Sequence, residues 1–306
     1  MLTVETRLTE AAGDARRLEQ VGATVIEAMA RLFGFLGNRT DLGGSVVQRY
    51  RDLLRWQRSA DEAVGWGVGF YQSGEVLLRR RPYDDRELVD PVQAVEGVRT
   101  DLLMAHVRKP GVGSLRTENT QPFRYRSWLF AQTGCLPPVD EVRRAIHAEL
   151  PEFLRRNIRG DTDGELMFYL LLARLQEAGH LSDLGVSSAA VGLALRETVG
   201  ILDRAVGGVT GESVAINALV SNGESFVALC RGAPMALRRI EGTDAAEDLV
   251  GDVGSYRPRV PNLDATRITL VISDHREAMP EGFTAVEPNS LVSLSRDAAP
   301  HIESLS

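Results

Sequence analysis

The chain has 306 residues, with 42 acidic side chains against 35 basic ones and a formal net charge of -7. Apolar residues at 43% and charged residues at 25% fit an ordinary soluble globular protein, and exclude disordered, collagenous and coiled-coil chains. The mild acidity argues against a nucleic-acid partner, which calls for a basic face, and no apolar run approaches the roughly 20 residues that span a bilayer. Residues 1–28 carry Glu5, Glu10, Asp14 and Glu19 and lack the continuous apolar core of a signal peptide. The expectation is a cytoplasmic protein with no membrane partner.

Ala11, Ala15, Leu18, Val21 and Val25 recur at helical steps, so residues 1–28 read as a helical N-terminal extension and residues 29–306 as one domain. Residues 31–36 read as a strand. Val46, Val47, Tyr50, Leu53, Leu54 and Trp56 form a helical face. A hairpin follows, 66–71 and 75–79, joined by Gln72-Ser73-Gly74. Strands are predicted at 102–107 and 127–131, flanking a polar, glycine-containing loop at 109–120. Helices are predicted at 139–150, 163–178 and 186–205, the second opened by the capping-box pattern Thr162-x-x-Glu165. Strands return at 213–220, 225–230, 236–240, 268–272 and 291–294, and Pro258–Asn262 reads as a loop. Strands, then helices, then strands is an α+β order.

Several motifs are absent. The sequence has no G-x-x-x-x-G-K-[ST] phosphate loop, no G-x-G-x-x-G after a strand and no G-x-S-x-G elbow. Its five histidines are isolated, and Cys135 and Cys230 have no metal-binding spacing, so no metal and no cofactor is expected. The alternating Gly65, Gly67 and Gly69 suggest close approach of another backbone to a strand. Arg79-Arg80-Arg81, followed by Asp84-Asp85, reads as a solvated strand end. Trp66 and Trp128 are expected to pack between sheets, His106 to be a satisfied structural histidine, and Cys135 and Cys230 to be packed thiols.

Five segments in order resemble the class II glutamine amidotransferases, N-terminal-nucleophile hydrolases that release ammonia from glutamine. They are Met29-Ala-Arg-Leu-Phe-Gly-Phe35, Gly65-Trp-Gly-Val-Gly-Phe-Tyr71, Ala105-His-Val-Arg108, Glu118-Asn-Thr-Gln-Pro-Phe123 leading to Trp128-Leu-Phe-Ala-Gln-Thr-Gly134, and Gly160-Asp-Thr-Asp-Gly-Glu165. The later segments around Asn217, Asn222-Gly223-Glu224, Val271–Asp274 and Val286–Val292 agree with the stand-alone branch of that family. The resemblance implies a four-layer αββα sandwich of two antiparallel sheets. It assigns carboxylate binding to Arg108, ammonium binding to Asp163 and an oxyanion position to Gly134.

The same resemblance places Ala30 where the family has its nucleophilic cysteine, Thr133 where it has the oxyanion asparagine, and Gln132 and Gln121 where it has histidines. Val64 stands where an aspartate precedes Gly-Trp-Gly. Binding residues are thus kept and chemical ones lost. This implies a catalytically inactive relative that binds L-glutamine or a related amino acid, or serves as a regulatory or scaffold subunit for a synthetase or transferase. The alternative is an active amidohydrolase or amidotransferase subunit with a non-standard nucleophile, for which Cys135 is the nearest thiol in sequence.

Overall fold

Arg31-Leu-Phe-Gly-Phe-Leu-Gly37 is apolar at odd and even positions alike, the pattern of a strand buried on both faces. In the computed structural model, which describes residues 30–54, 65–82, 91–108, 114–250, 261–273 and 279–305, this segment is β1 (Arg31–Gly37) at the centre of a seven-stranded sheet. From edge to edge that sheet runs β11 (Thr284–Val286), β9 (Met235–Glu241), β10 (Arg267–Ser273), β1, β4 (Leu102–Arg108), β2 (Gly65–Gln72) and β3 (Glu75–Pro82). The second sheet has six strands: β13 (His301–Ser304), β12 (Ser290–Leu294), β8 (Phe226–Cys230), β7 (Asn217–Ser221), β6 (Trp128–Thr133) and β5 (Phe123–Tyr125). Neighbouring strands in both are antiparallel.

Side-chain alternation sorts these strands into layers. Leu32 and Leu36 of β1, Met104 of β4, Leu129 of β6, Leu219 of β7 and Phe226 of β8 fill the space between the sheets. Phe33, Phe35, Trp66 and Val68 face the opposite way, beneath α1 (Gly43–Arg49) and α7 (Thr243–Val250). On the other flank, Trp128, Phe130 and Val220 pack under α3 (Asp140–Ala148), α5 (Asp163–Glu177) and α6 (Ser188–Thr210). The short α2 (Arg51–Leu54) and α4 (Glu152–Arg155) complete the helices among the described residues. The result is the expected αββα sandwich, each fully buried Leu or Phe contributing about 1.5–3 kcal/mol. No helix among the described residues is long and apolar enough to cross a membrane.

Most elements fall where periodicity put them. The hairpin turn has Ser73 and Gly74 at φ 54° and 79°, the geometry matched to strand twist. Five differences have physical causes. The face at 46–56 is cut at Tyr50 into α1 and α2, and Trp56 lies outside the described residues. Helix α6 runs on to Thr210, ending on Gly211 at φ 75°. Thr162 accepts the Glu165 N–H (3.4 Å), but the Glu165 carboxylate reaches the N–H groups of Arg159 and Gly160, so the capping box is only half formed. Trp66 and Trp128 lie on the helix-facing sides of their sheets, not between them, and Trp128 Nε1 donates to Leu181 O (2.9 Å). Arg79–Arg81 lies within β3, with Arg80 half-buried. The extension at 1–28, Val64, Asp84-Asp85 and most of the loop at 258–262 lie outside the described residues.

Gly67 answers the close-approach expectation. A Cβ there would stand 1.9 Å from the carbonyl oxygen of Gln121, a backbone atom that cannot swing aside. Gly74, although at positive φ, has open space around it. Gly67→Ala is expected to destabilise the protein by about 3 kcal/mol or more, the upper range for overpacking. Gly74→Ala should cost about 1 kcal/mol, from left-handed strain alone. Urea denaturation of the two variants checks the contrast.

Candidate functional site

The polar ends of five inner strand segments meet at one end of the sandwich. Ala30 directly precedes β1 and shares the inward face of Leu32. Arg31 pairs with Val107 in the β1–β4 register, so one further step sets Ala30 beside Arg108, which on its other side pairs with Gly65 of β2. Ser273 closes β10 opposite Leu32. From the facing sheet come Thr133 at the end of β6 and its register partner Asn217 at the start of β7. Asn217 Nδ2 reaches across to Ser273 Oγ (2.8 Å) and stitches the sheets together there. Its remaining capacity clips the turn after β8, accepting from Arg231 and Gly232 N–H (both 2.8 Å) and donating to Ala233 O (2.6 Å). Asn217 is therefore saturated by structure.

Arg108 is buried at the end of β4, and its Nη1 donates to Ser114 O (3.1 Å). Burial pushes its guanidinium pKa down, while Asp161 and Asp163 oppose that shift through their negative fields. The Asp163 carboxylate, at the first position of α5, accepts the N–H groups of Leu136 (2.7 Å) and Gly164 (2.9 Å). Burial raises its pKa, and those N–H bonds hold the rise back. Gly134, between Thr133 and Leu136, has φ 99°, and a Cβ there would meet Ala215 O at 2.2 Å. The backbone bend that carries Leu136 to Asp163 thus depends on glycine.

Asn119 couples the cation and the anion, a role its position in Glu118-Asn-Thr does not announce. Its buried Nδ2 donates to Ser114 O (2.9 Å) and Asp161 Oδ1 (2.5 Å), and its Oδ1 accepts the Asp161 N–H (3.0 Å). Asn119 thereby ties the loop touching Arg108 to the loop that leads into Asp163. The only sequence signal was a short amide side chain in an irregular segment, able to serve two backbones at once.

Gln121 and Gln132 sit elsewhere. Gln121 Oε1 accepts the Gln132 N–H (2.6 Å), and both Nε2 atoms crowd Gly164, within 3.1 Å and 2.8 Å of where a Cβ would stand. They occupy the helix side of β6, opposite to the face that carries Thr133. Three buried polar atoms lack a hydrogen-bond partner here: His106 Nδ1, Gln132 Oε1 and Thr133 Oγ1. His106 bonds the Gln132 backbone, so the expectation of a satisfied structural histidine holds for one ring nitrogen and fails for Nδ1. Burial, then the neighbouring Arg108, push its pKa down to about 3, so it is neutral at physiological pH. The half-buried Cys135 thiol is pushed up to about 12, by burial and then by the Asp163 charge, and stays protonated. Among the described residues no group of three or more His, Cys, Asp or Glu could hold a metal ion.

His106 also sets a pH dependence. Its folded-state pKa lies below the ordinary histidine value of 6.5, so its contribution to stability is complete above that value and is lost as pH falls toward 3. At pH 5 the loss should approach ~2 kcal/mol, at about 1.4 kcal/mol per pH unit. Denaturation at pH 7 and pH 5 should show a steeper decline in the native protein than in His106→Leu.

A family profile described as glutamine amidotransferases class-II matches residues 29–247. A probable glutamine amidotransferase of Saccharomyces cerevisiae is 25% identical over 214 residues, 66% of this chain and 59% of the yeast protein. An uncharacterised protein of Methanocaldococcus jannaschii is 28% identical over 126 residues, 39% of this chain and 33% of its own length. The chain thus spans well under two thirds of both curated relatives. The crystal structure of a predicted glutamine amidotransferase from Pseudomonas aeruginosa superimposes with a TM-score of 0.55 at 19% identity, over 88% of this chain and 98% of that one, a likeness of fold. With the profile covering most of its length and the two-sheet sandwich in place, the chain belongs to the class II glutamine amidotransferase family.

Proposed function

We propose that this protein is a member of the family that has given up ammonia release and keeps its pocket for binding an α-amino acid, L-glutamine or a relative, in a regulatory or scaffold role. The observation that carries the proposal is Ala30. A methyl group stands beside Arg108, where the family's chemistry needs a thiol, and the Ala30 nitrogen is an amide within this chain. Other features support it. The Cys135 thiol is held protonated, and His106 is too weak a base to accept a proton near neutral pH. Thr133 offers one hydroxyl in the place of an asparagine amide, and loss of an oxyanion donor typically costs about 100- to 1,000-fold in rate.

The binding half has a physical rationale. A guanidinium presents a planar fork to a carboxylate, and burial strengthens that pairing. Asp163 uses its oxygens on two backbone N–H groups, and each oxygen has a second acceptor site for an ammonium. In the same reading the protein is cytoplasmic and works beside a protein partner of the synthetase or transferase class.

Calorimetric titration with L-glutamine tests this directly. Saturable heat without ammonia release is expected, weakened at least about ten-fold in Arg108→Ala through loss of a charge-assisted bond. Ammonia released at an enzymatic rate and abolished by pocket substitutions would overturn the inactive assignment, and absence of heat would remove the binding role. Ala30→Cys should leave ammonia release at background in a coupled assay, because the new thiol still lacks a free α-amine and a base.

A further inference from the structure

A cavity of about 530 Å³ opens where the two sheets present their edges to each other, between β3, β5 and the first turns of α5. Arg80, Arg124, Arg126 and Arg159 line it, four cations on a protein of net negative charge. Two carboxylates share the lining, Glu118 and Glu165. Glu165 is committed to structure, its oxygens accepting the N–H groups of Arg159 (3.1 Å) and Gly160 (2.6 Å). Glu118 sits exposed on a 3-10 turn.

Among the described residues, the hydrogen bonds of these guanidinium groups go to neutral oxygens. Arg80 Nη1 donates to Thr120 O (3.1 Å); Arg124 Nη1 donates to Val76 O (2.8 Å) and its Nε to Arg126 O (3.1 Å); Arg126 donates to Ser182 Oγ. Arg126 also lies over the Tyr125 ring, 5.5 Å from its centroid. The Arg159 side chain has no hydrogen bond or ion pair among the described residues. A guanidinium has five N–H donors, so among the described residues most of this set is unspent. Burial pushes the Arg80 pKa down, and the nearby charges of Glu118 and Glu165 oppose that shift. Charged residues on sheet edges commonly guard against strand pairing. That role asks for charges pointing outward along the edge, not four converging on one concavity backed by the stacked rings of Phe123 and Phe168.

We propose that this cavity is a second ligand site, taking a small phosphorylated metabolite whose phosphoryl oxygens are held by the forks of Arg80, Arg124, Arg126 and Arg159. A phosphomonoester or pyrophosphate carries the multiple charge and the several acceptor oxygens that convergent guanidinium groups recognise, and the volume lies within the usual range for small-molecule sites. None of Ala30, Arg108, Thr133 and Asp163 lines the cavity, and the inference holds whether or not those residues bind an amino acid.

The test is calorimetry on the full chain with pyrophosphate and adenosine monophosphate as probes, at constant ionic strength, with citrate as a non-phosphate polyanion. Saturable binding of at least one phosphate probe is expected, weakened about ten-fold or more in Arg80→Gln and Arg159→Gln. It should be unchanged in Arg204→Gln, an exposed arginine on α6, and in Arg108→Ala. If Arg80→Gln fails to fold, Arg159→Gln decides, since its side chain makes no hydrogen bond or ion pair among the described residues. The proposal is overturned by absence of saturable heat in the millimolar range, by equal weakening in Arg204→Gln or Arg108→Ala, or by citrate binding as tightly as pyrophosphate.

Discussion

Face-to-face packing of two sheets, each covered by helices on its far side, governs this molecule. A strand in such a sandwich has no wet face, so each inner side chain must be apolar or must find a polar partner inside the protein. Leu32, Leu36, Met104, Leu219 and Phe226 meet the demand through most of the interface. Gly34 lets the sheets come close, since a Cβ there would stand 2.7 Å from the Phe226 ring, and Gly67 does the same for the backbone at Gln121. Where the apolar layer stops, polar groups concentrate, among them Arg108, Thr133, Asn217 and Ser273.

Two asparagines show how that polar end is held. Asn217 saturates both ends of its amide against the turn after β8 and against Ser273 of the other sheet. Asn119 does the same for the loops beside Arg108 and Asp163. Each acts as a rigid brace, satisfying backbone groups that would otherwise be buried unpaired at roughly 1–3 kcal/mol apiece. Against that order, the unpaired Thr133 Oγ1, Gln132 Oε1 and His106 Nδ1 stand out. The loops beside Arg108 and Asp163 are thus braced, while the inward positions near them carry the Ala30 methyl, an orphan hydroxyl and a neutral imidazole.

The arginines divide along a related line. Arg231 and Arg296 meet carboxylates directly, at 2.7 Å from Asp203 and Asp101. Arg124 instead bridges the two sheet edges through Val76 O, and Arg80 ties β3 to the loop before β5 through Thr120 O, bonds that orient both cations without neutralising them. A cation held by neutral acceptors in a concavity keeps its field, and low-dielectric walls focus that field outward.

Local pattern alone determined the strands, the 73–74 turn, the three long helices of the second sheet's flank and, through five spaced segments, the family. These follow from periodicity and turn chemistry, which act over a few residues. The short pieces β5, β11, β13 and α7 were not legible, because each depends on a neighbouring strand or loop that no window of sequence contains. The residues that the resemblance singles out, Ala30, Arg108, Gly134 and Asp163, were legible as a list of positions, but not their arrangement. Tertiary structure alone decided that Gln121 and Gln132 turn to the helix side of β6, that Trp66 and Trp128 face helices, that Asn119 joins the two loops, and that four arginines distant in sequence share one cavity. For Gln132, Trp66 and Trp128 the reason is that a strand's alternation gives each side chain one of two faces, and only the partner sheet determines which face is the interior; Asn119 and the arginines outside strands depend on the course of loops that no window of sequence contains.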